Sequence, residues 1–285
     1  MSAIFGPAGN SDSFAAKGFK SSMDAPKFLS EMGLDAYEYQ CGKGVKTGQQ
    51  TAMKFGALAR DYNISLSIHA PYYISLSSVE EEKRNNSIGY IMQTANLAEY
   101  MGATRIIIHS GSCAKLSRAE ALEFAKDTIK KARQKAIDDG LAHITFCPET
   151  MGKLNQLGDL YEVMELCKID ESFIPCIDFG HLNARTNGSI KTKTAFEAIL
   201  DTIENELGYD RLKVFHSHFS KIEYTEKGGE VKHLTFEDLI YGPHFEPLME
   251  LIAKKNLSPT FICESAGTQA EDALAMKKYY FSNLK

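Results

Sequence analysis

The residues best suited to chemistry are Asp178 and His181, in the run Ile174-Pro-Cys-Ile-Asp-Phe-Gly-His181. The apolar part, 174–177, reads as a buried strand bounded by Pro175 and Gly180. A carboxylate at the end of a buried strand is costly to hold there without a cation. Gly180 lets the chain turn so that His181 looks back at the same point. The pattern recurs: His69, His109, Glu149, His216 and Glu264 each close an apolar run, and His181 and His233 lie in loops just beyond two of them. Nitrogen and oxygen donors without cysteine suit zinc, manganese or iron better than calcium or magnesium. One ion takes about four protein ligands, and a catalytic zinc usually three. Eight candidates therefore imply at least two ions. Two ions about 3.5–4 Å apart, sharing a carboxylate, would deprotonate a water between them and clamp a phosphate. That is the equipment of a phosphoester hydrolase.

Such residues need elements that bring them to one place. Apolar or alternating runs predict strands over 3–5, 36–40, 64–68, 105–108, 144–147, 174–177, 213–215 and 260–263. Between them, 3.6-residue periodicity predicts helices near 24–32, 49–60, 79–101, after Ser117, 157–168, 194–206 and 244–255, with a last helix closing the chain. Ser117 and Glu120 form a capping box, and Gly33 stops the first helix. Eight β/α alternations without a linker or composition break predict one (β/α)8 barrel domain over 1–285. An open Rossmann-like sheet fits less well, because no Gly-x-Gly-x-x-Gly follows the first strand. The polar strand ends then share the C-terminal rim, where barrels carry their active sites.

The bulk properties agree. The chain has 285 residues, 44% hydrophobic and 24% charged, as expected of a soluble globular protein. Its net charge of -5 excludes a cationic coat, so any nucleic-acid contact needs a local basic or metal-based site. The six cysteines form no Cys-x-x-Cys pair and read as reduced, buried thiols of a cytoplasmic protein. Cys147 and Cys176 lie two residues before a candidate ligand, so they point into the barrel as small core residues. No basic leader and no run of about 18 apolar residues is present, so no membrane partner is expected.

The motifs His69-Ala-Pro-Tyr-Tyr, Ile-His109-Ser-Gly-Ser, Pro-Glu149-Thr-Met-Gly-Lys, Asp178-Phe-Gly-His181, His216-Ser-His-Phe-Ser-Lys221, Lys-His233 and Cys-Glu264 together resemble the endonuclease IV family of apurinic/apyrimidinic-site nucleases. The resemblance implies a (β/α)8 barrel holding three zinc ions. His69, His109 and Glu149 would bind the first. Glu149 would bridge to the second, completed by Asp178, His216 and Glu264. His181 and His233 would belong to the third. The family's Asp two residues before the last His is Val231 here, and its Asn-Asp before the Ser-Lys is His218-Phe219. Two zinc ions are therefore expected, with manganese as the other candidate, and a third site lacks its carboxylate. Glu230 and His218 are the neighbours able to replace it.

The implied activity is hydrolysis of double-stranded DNA 5' to an abasic site, with Glu149 and Glu264 catalytic, and a monomer is expected. Such an enzyme opens the duplex with wedge residues; Tyr72 and Tyr73 stand where the family places them. Lys43, Lys153 and Lys221, in rim loops, are candidates for phosphate contact. The alternative is a sugar isomerase or epimerase of the xylose-isomerase-like barrels, whose single metal Glu149, Asp178, His216 and Glu264 would hold unaided.

Overall fold

Short apolar runs become strands only in company, because each leaves backbone donors and acceptors that a neighbour must satisfy. The computed structural model describes residues 2–284. The chain opens with β1 (Ile4–Pro7), α1 (Asp12–Ala16), α2 (Ala25–Met32), β2 (Ala36–Gln40), α3 (Gln49–Asp61), β3 (Ser65–His69), α4 (Glu81–Met101) and β4 (Arg105–Ile108). It continues through α5 (Arg118–Asp138), β5 (Thr145–Pro148), α6 (Leu160–Cys167), β6 (Cys176–Asp178), α7 (Phe179–Arg185), α8 (Lys193–Leu207) and α9 (Tyr209–Lys213). It ends with β7 (His216–Phe219), the hairpin β8 (Lys221–Thr225) and β9 (Gly229–Leu234), α10 (Glu246–Lys254), β10 (Thr260–Cys263) and α11 (Gln269–Ser282).

Two parallel quartets form, β1-β10-β7-β6 and β2-β3-β4-β5. Single bridges join them at both seams, Ala8 to Glu38 and Glu149 to Cys176. Backbone bonds of 3.0 Å from Gly9 N to Glu38 O and from Thr150 N to Cys176 O reinforce those seams. Eight parallel strands thus surround one axis with helices outside, the expected (β/α)8 arrangement. The capping box at Ser117 and Glu120 is present, and Asp159 with Glu162 forms another at the start of α6. Gly33 ends α2 in the left-handed conformation, at φ 73°.

The main apolar core lies between strands and helices. Inside the barrel, Ile107, Cys147 and Cys176 form a small apolar plug, so the two cysteines are the core residues expected of them. Much of the remaining inward surface is polar: Glu38, Ser67, His69, Glu149, Asp178, His216 and His218 are all buried. A barrel interior filled this way is costly unless the groups satisfy one another or a ligand.

Strand seven departs from expectation. The apolar run 213–215 is not a strand, because Tyr209–Lys213 is α9, which follows α8 after Gly208. The strand is His216–Phe219, pairing with β6 through Cys176–His216 and with β10 through Thr260–His216. The hairpin β8–β9, α1, α7 and α9 carry too little periodicity to be foreseen. No described helix is long and apolar enough to cross a membrane.

Candidate metal centre

Glu149 is the middle of the site. It follows β5, is fully buried, and divides its two oxygens between different partners. Oε2 faces His69 Nε2 at 3.3 Å and His109 Nε2 at 3.0 Å. Oε1 faces His218 Nδ1 at 2.9 Å and His181 Nδ1 at 3.5 Å. Burial opposes its charge, but His218 and His109 win and hold the carboxyl well below its usual range. Burial also opposes charge on His69, yet Glu149 raises that imidazole's pKa, while burial lowers that of His109.

Asp178 ends β6 and caps α7, its Oδ1 accepting the His181 backbone N–H at 2.7 Å. Its Oδ2 is buried without a hydrogen-bond partner. His181 Nδ1 lies 3.2 Å away but pairs with Thr150 O at 2.9 Å. Burial, with Glu264 and Glu149 adding to it, pushes the Asp178 pKa upward. An orphaned carboxylate oxygen beside two other carboxylates is the environment a divalent cation relieves. Ligand atoms of Glu149, Asp178, His218 and Glu264 all lie within 4.8 Å of one another, a set that fits one ion.

A separate group is His181, Glu230 and His233. Glu230 Oε2 is 3.5 Å from His181 Nε2, and Glu230 Oε1 is 4.0 Å from His233 Nε2. Neighbouring bonds turn these rings. His181 Nδ1 meets Thr150 O, and His233 Nδ1 meets Ser220 Oγ at 2.8 Å, which leaves both Nε2 atoms toward Glu230. Residues three apart on a regular strand face opposite sides. Here the ladder slips between Glu223 and Tyr224, so Glu230 opposes Tyr224, Lys232 opposes Glu223, and Val231 is the extra residue. One bulged residue reverses the alternation and brings Glu230 and His233 to one side. Val231 is left half exposed. Gly152 makes room: a Cβ there would lie 2.7 Å from the Glu230 Cβ and 2.9 Å from the His181 ring.

The structure therefore brings together His69, His109, Glu149, Asp178, His181, His233 and Glu264, with His218 and Glu230 added. It does not bring His216 to Glu149. His216 lies two residues deeper on the same inward face of β7, where its Nε2 meets Glu38 Oε2 at 3.0 Å. Burial drives its pKa down to about 4, against the pull of Glu38, so it is neutral. The strand-seven shift is the cause: the residue near the rim is His218. The signal in the sequence was His-Ser-His itself, two imidazoles sharing one strand face.

A cavity of about 560 Å³ opens over the centre, lined by His69, Tyr72, His109, Lys153, Glu230 and Glu264 among others. Tyr72 is 58% exposed and lies against the His109 ring, centroids 5.7 Å apart. Tyr73 is 51% exposed and rests edge-on against Tyr90. Lys43 and Lys153 are exposed on the rim. Lys221 is not available to a phosphate: it is buried, and its ammonium donates to Phe236 O at 2.8 Å and to Asp238 O. It fastens the loop after β9 rather than facing solvent.

The family signature described as "Xylose isomerase-like TIM barrel" matches residues 26–279. An uncharacterized protein of Methanocaldococcus jannaschii is 36% identical over 276 residues, covering 97% of this chain and 96% of the relative. A probable endonuclease 4 of Mycoplasma pneumoniae is 28% identical over 208 residues, 70% of this chain and 68% of the relative. Among solved structures, endonuclease IV from Thermus thermophilus superposes with a TM-score of 0.69 at 16% identity, covering 98% of both chains. A D-tagatose 3-epimerase-like protein gives 0.72 at 17% identity, over 98% of this chain and 97% of the other. At such identities the superpositions speak for the fold alone. With signature, relatives and barrel in agreement, the chain belongs to the xylose isomerase-like TIM barrel family.

Proposed function

We propose that this protein is a metal-dependent phosphodiesterase that cuts duplex DNA 5' to an abasic site. The observation that carries the reading is the His181–Glu230–His233 group beside the buried Glu149–Asp178–His218–Glu264 set. A single-ion enzyme has no need of the first group. The similarity to probable endonuclease 4 proteins supports the same reading. Zinc or manganese fits the donors, held by His69, His109 and Glu149, by Glu149, Asp178, His218 and Glu264, and by His181, Glu230 and His233. Bound there, such ions supply Lewis acidity toward a phosphodiester and acidify a water.

The protein's own part is placement. Glu149 holds four imidazoles through two oxygens and fixes how far apart the ligand groups stand. Glu264 lies between the groups, Oε1 3.6 Å from His218 and Oε2 4.0 Å from His233, and lines the cavity. It is placed to orient a water and take its proton. Lys153 and Lys43 offer charge to a backbone phosphate. Six unpaired, buried cysteines suit a reducing, cytoplasmic setting. The protein acts as a monomer in this reading.

The reading is tested with a duplex carrying one tetrahydrofuran abasic analogue. Zinc- or manganese-loaded protein is expected to nick it 5' to the lesion and leave a 3'-hydroxyl. The buried four-ligand set is by itself sufficient for a single-metal sugar epimerase. An intact duplex together with epimerisation of a ketose would put that reading in its place.

Tyr72 and Tyr73 are assigned to hold the opened duplex. Replacing both by alanine is expected to raise KM for abasic duplex about tenfold or more, at about 1–3 kcal/mol per lost base stack, with a smaller fall in kcat. The effect shrinks on single-stranded substrate. An unchanged KM on intact duplex removes the assignment.

A further inference from the structure

Glu38 has no place in the ligand groups, yet it is fully buried one layer beneath them. Its carboxylate is held from several sides. Oε2 accepts from Ser67 Oγ at 2.9 Å and pairs with His216 Nε2 at 3.0 Å. Oε1 accepts from Gln40 Nε2 at 3.3 Å. The same Oε1 lies 2.9 Å from His218 Nε2. That approach is off the ring's N–H direction, so Nε2 makes no regular hydrogen bond there. At 2.9 Å nothing fits between them, and Glu38 is the nearest charge to that edge of the ring. The opposite edge, Nδ1, faces Glu149 at 2.9 Å and Glu264 at 3.6 Å.

His218 thus stands between two carboxylate layers: the ligand set above and one fixed anion below. Ser67, His216 and Gln40 keep Glu38 from swinging away. We propose that Glu38 is a positioning residue, which holds His218 with Nδ1 toward the ligand set and strengthens that nitrogen as a donor to an ion. A carboxylate 2.9 Å from the far nitrogen favours the tautomer that carries its proton there and leaves Nδ1 free for an ion, and its charge makes that nitrogen the better donor. Glu38 comes from β2, across the barrel from β7, so it also ties the position of His218 to the opposite wall. The proposal rests on an ion being held by Glu149, Asp178, His218 and Glu264, and is independent of which substrate is cut.

The test compares two centres in one protein. Stripped wild-type and Glu38→Gln proteins are titrated with cobalt(II), followed by visible absorption and calorimetry. Glu38→Gln is expected to bind the ion of the buried set about 10–100-fold more weakly, with an altered ligand-field spectrum. The His181–Glu230–His233 centre, which Glu38 does not touch, keeps its affinity. A purely structural loss weakens both centres together, and that result overturns the proposal, as does unchanged affinity at both. If Glu38→Gln fails to fold by circular dichroism, Glu38→Asp serves instead. It keeps the charge but withdraws it from His218 by one methylene, and about a tenfold loss at the buried set alone is expected. Unchanged affinity there overturns the proposal equally. Wild-type protein that takes no cobalt at the buried set removes the metal reading itself, an outcome distinct from an indifferent Glu38 variant.

Discussion

Replacing His218 by alanine is expected to lower cleavage of an abasic duplex on the order of a thousandfold, while His216→Ala lowers it far less. The first substitution takes away the only imidazole of the buried set, whose Nδ1 faces Glu149 and Glu264. Lewis-acid stabilisation is worth several kcal/mol, and about 4 kcal/mol is a factor near 10³ in rate. His216 reaches the ligand set indirectly, through Glu38 and through the edge of the His218 ring 5.5 Å away, and indirect partners of this kind are worth about 10–100-fold. Steady-state kcat/KM with metal in excess decides between them. If His216→Ala is the more damaging variant, the two histidines have been assigned the wrong way round.

Metal removal has the next largest effect, and it is read in stability. Glu38, Glu149 and Asp178 are buried close together, and Asp178 Oδ2 has no hydrogen-bond partner. Returning a tightly bound ion at a thousand times its Kd stabilises the fold by about 4 kcal/mol. For a domain of this size that is about 10 °C in Tm. Differential scanning calorimetry of chelator-stripped and reloaded protein checks it. An ion at His181, Glu230 and His233 is expected to leave first on dialysis, because the His233 side chain is 26% exposed and the group has a single carboxylate. Glu230→Ala lowers the ion count by one in elemental analysis with only a small loss of Tm. Equal ion counts in wild type and variant would show that Glu230 is no ligand.

Most of the residues gathered at the candidate centre were legible because each ends a strand that is otherwise apolar and buried. His69, Asp178 and Glu264 announce themselves as polar groups where a core strand stops. His218 was visible only as a neighbour able to replace the third site's carboxylate and not as a strand end, because the apolar run 213–215 imitates a strand while the polar His216–Phe219 is one. Packing between β6 and β10 outweighs local propensity there. Glu230 was visible only as a neighbour of the missing carboxylate at Val231. Its role depends on a one-residue slip in a hairpin, and composition carries no signal for such a slip. Lys221 reads as a surface cation by type, and only the carbonyls of the loop after β9 reveal it as an internal fastener.

The hairpin that carries Glu230 and His233 is not part of the barrel wall. It hangs from β7 and leans on the loop after β5, with Glu230 N bonded to Gly152 O at 3.2 Å and Leu154 N to Gly228 O at 3.2 Å. The wall keeps Glu149, Asp178, His218 and Glu264 whatever the hairpin does. On the proposed function, one scaffold would pass between single-ion and multi-ion chemistry by lengthening or trimming a surface excursion, without disturbing the layers beneath. In this chain that excursion is short, from Lys221 to Leu234, and its decisive feature is the slip that turns Glu230 inward. Diversification at the rim would then act through the length and register of a two-stranded ribbon, leaving the barrel strands free to conserve the fold.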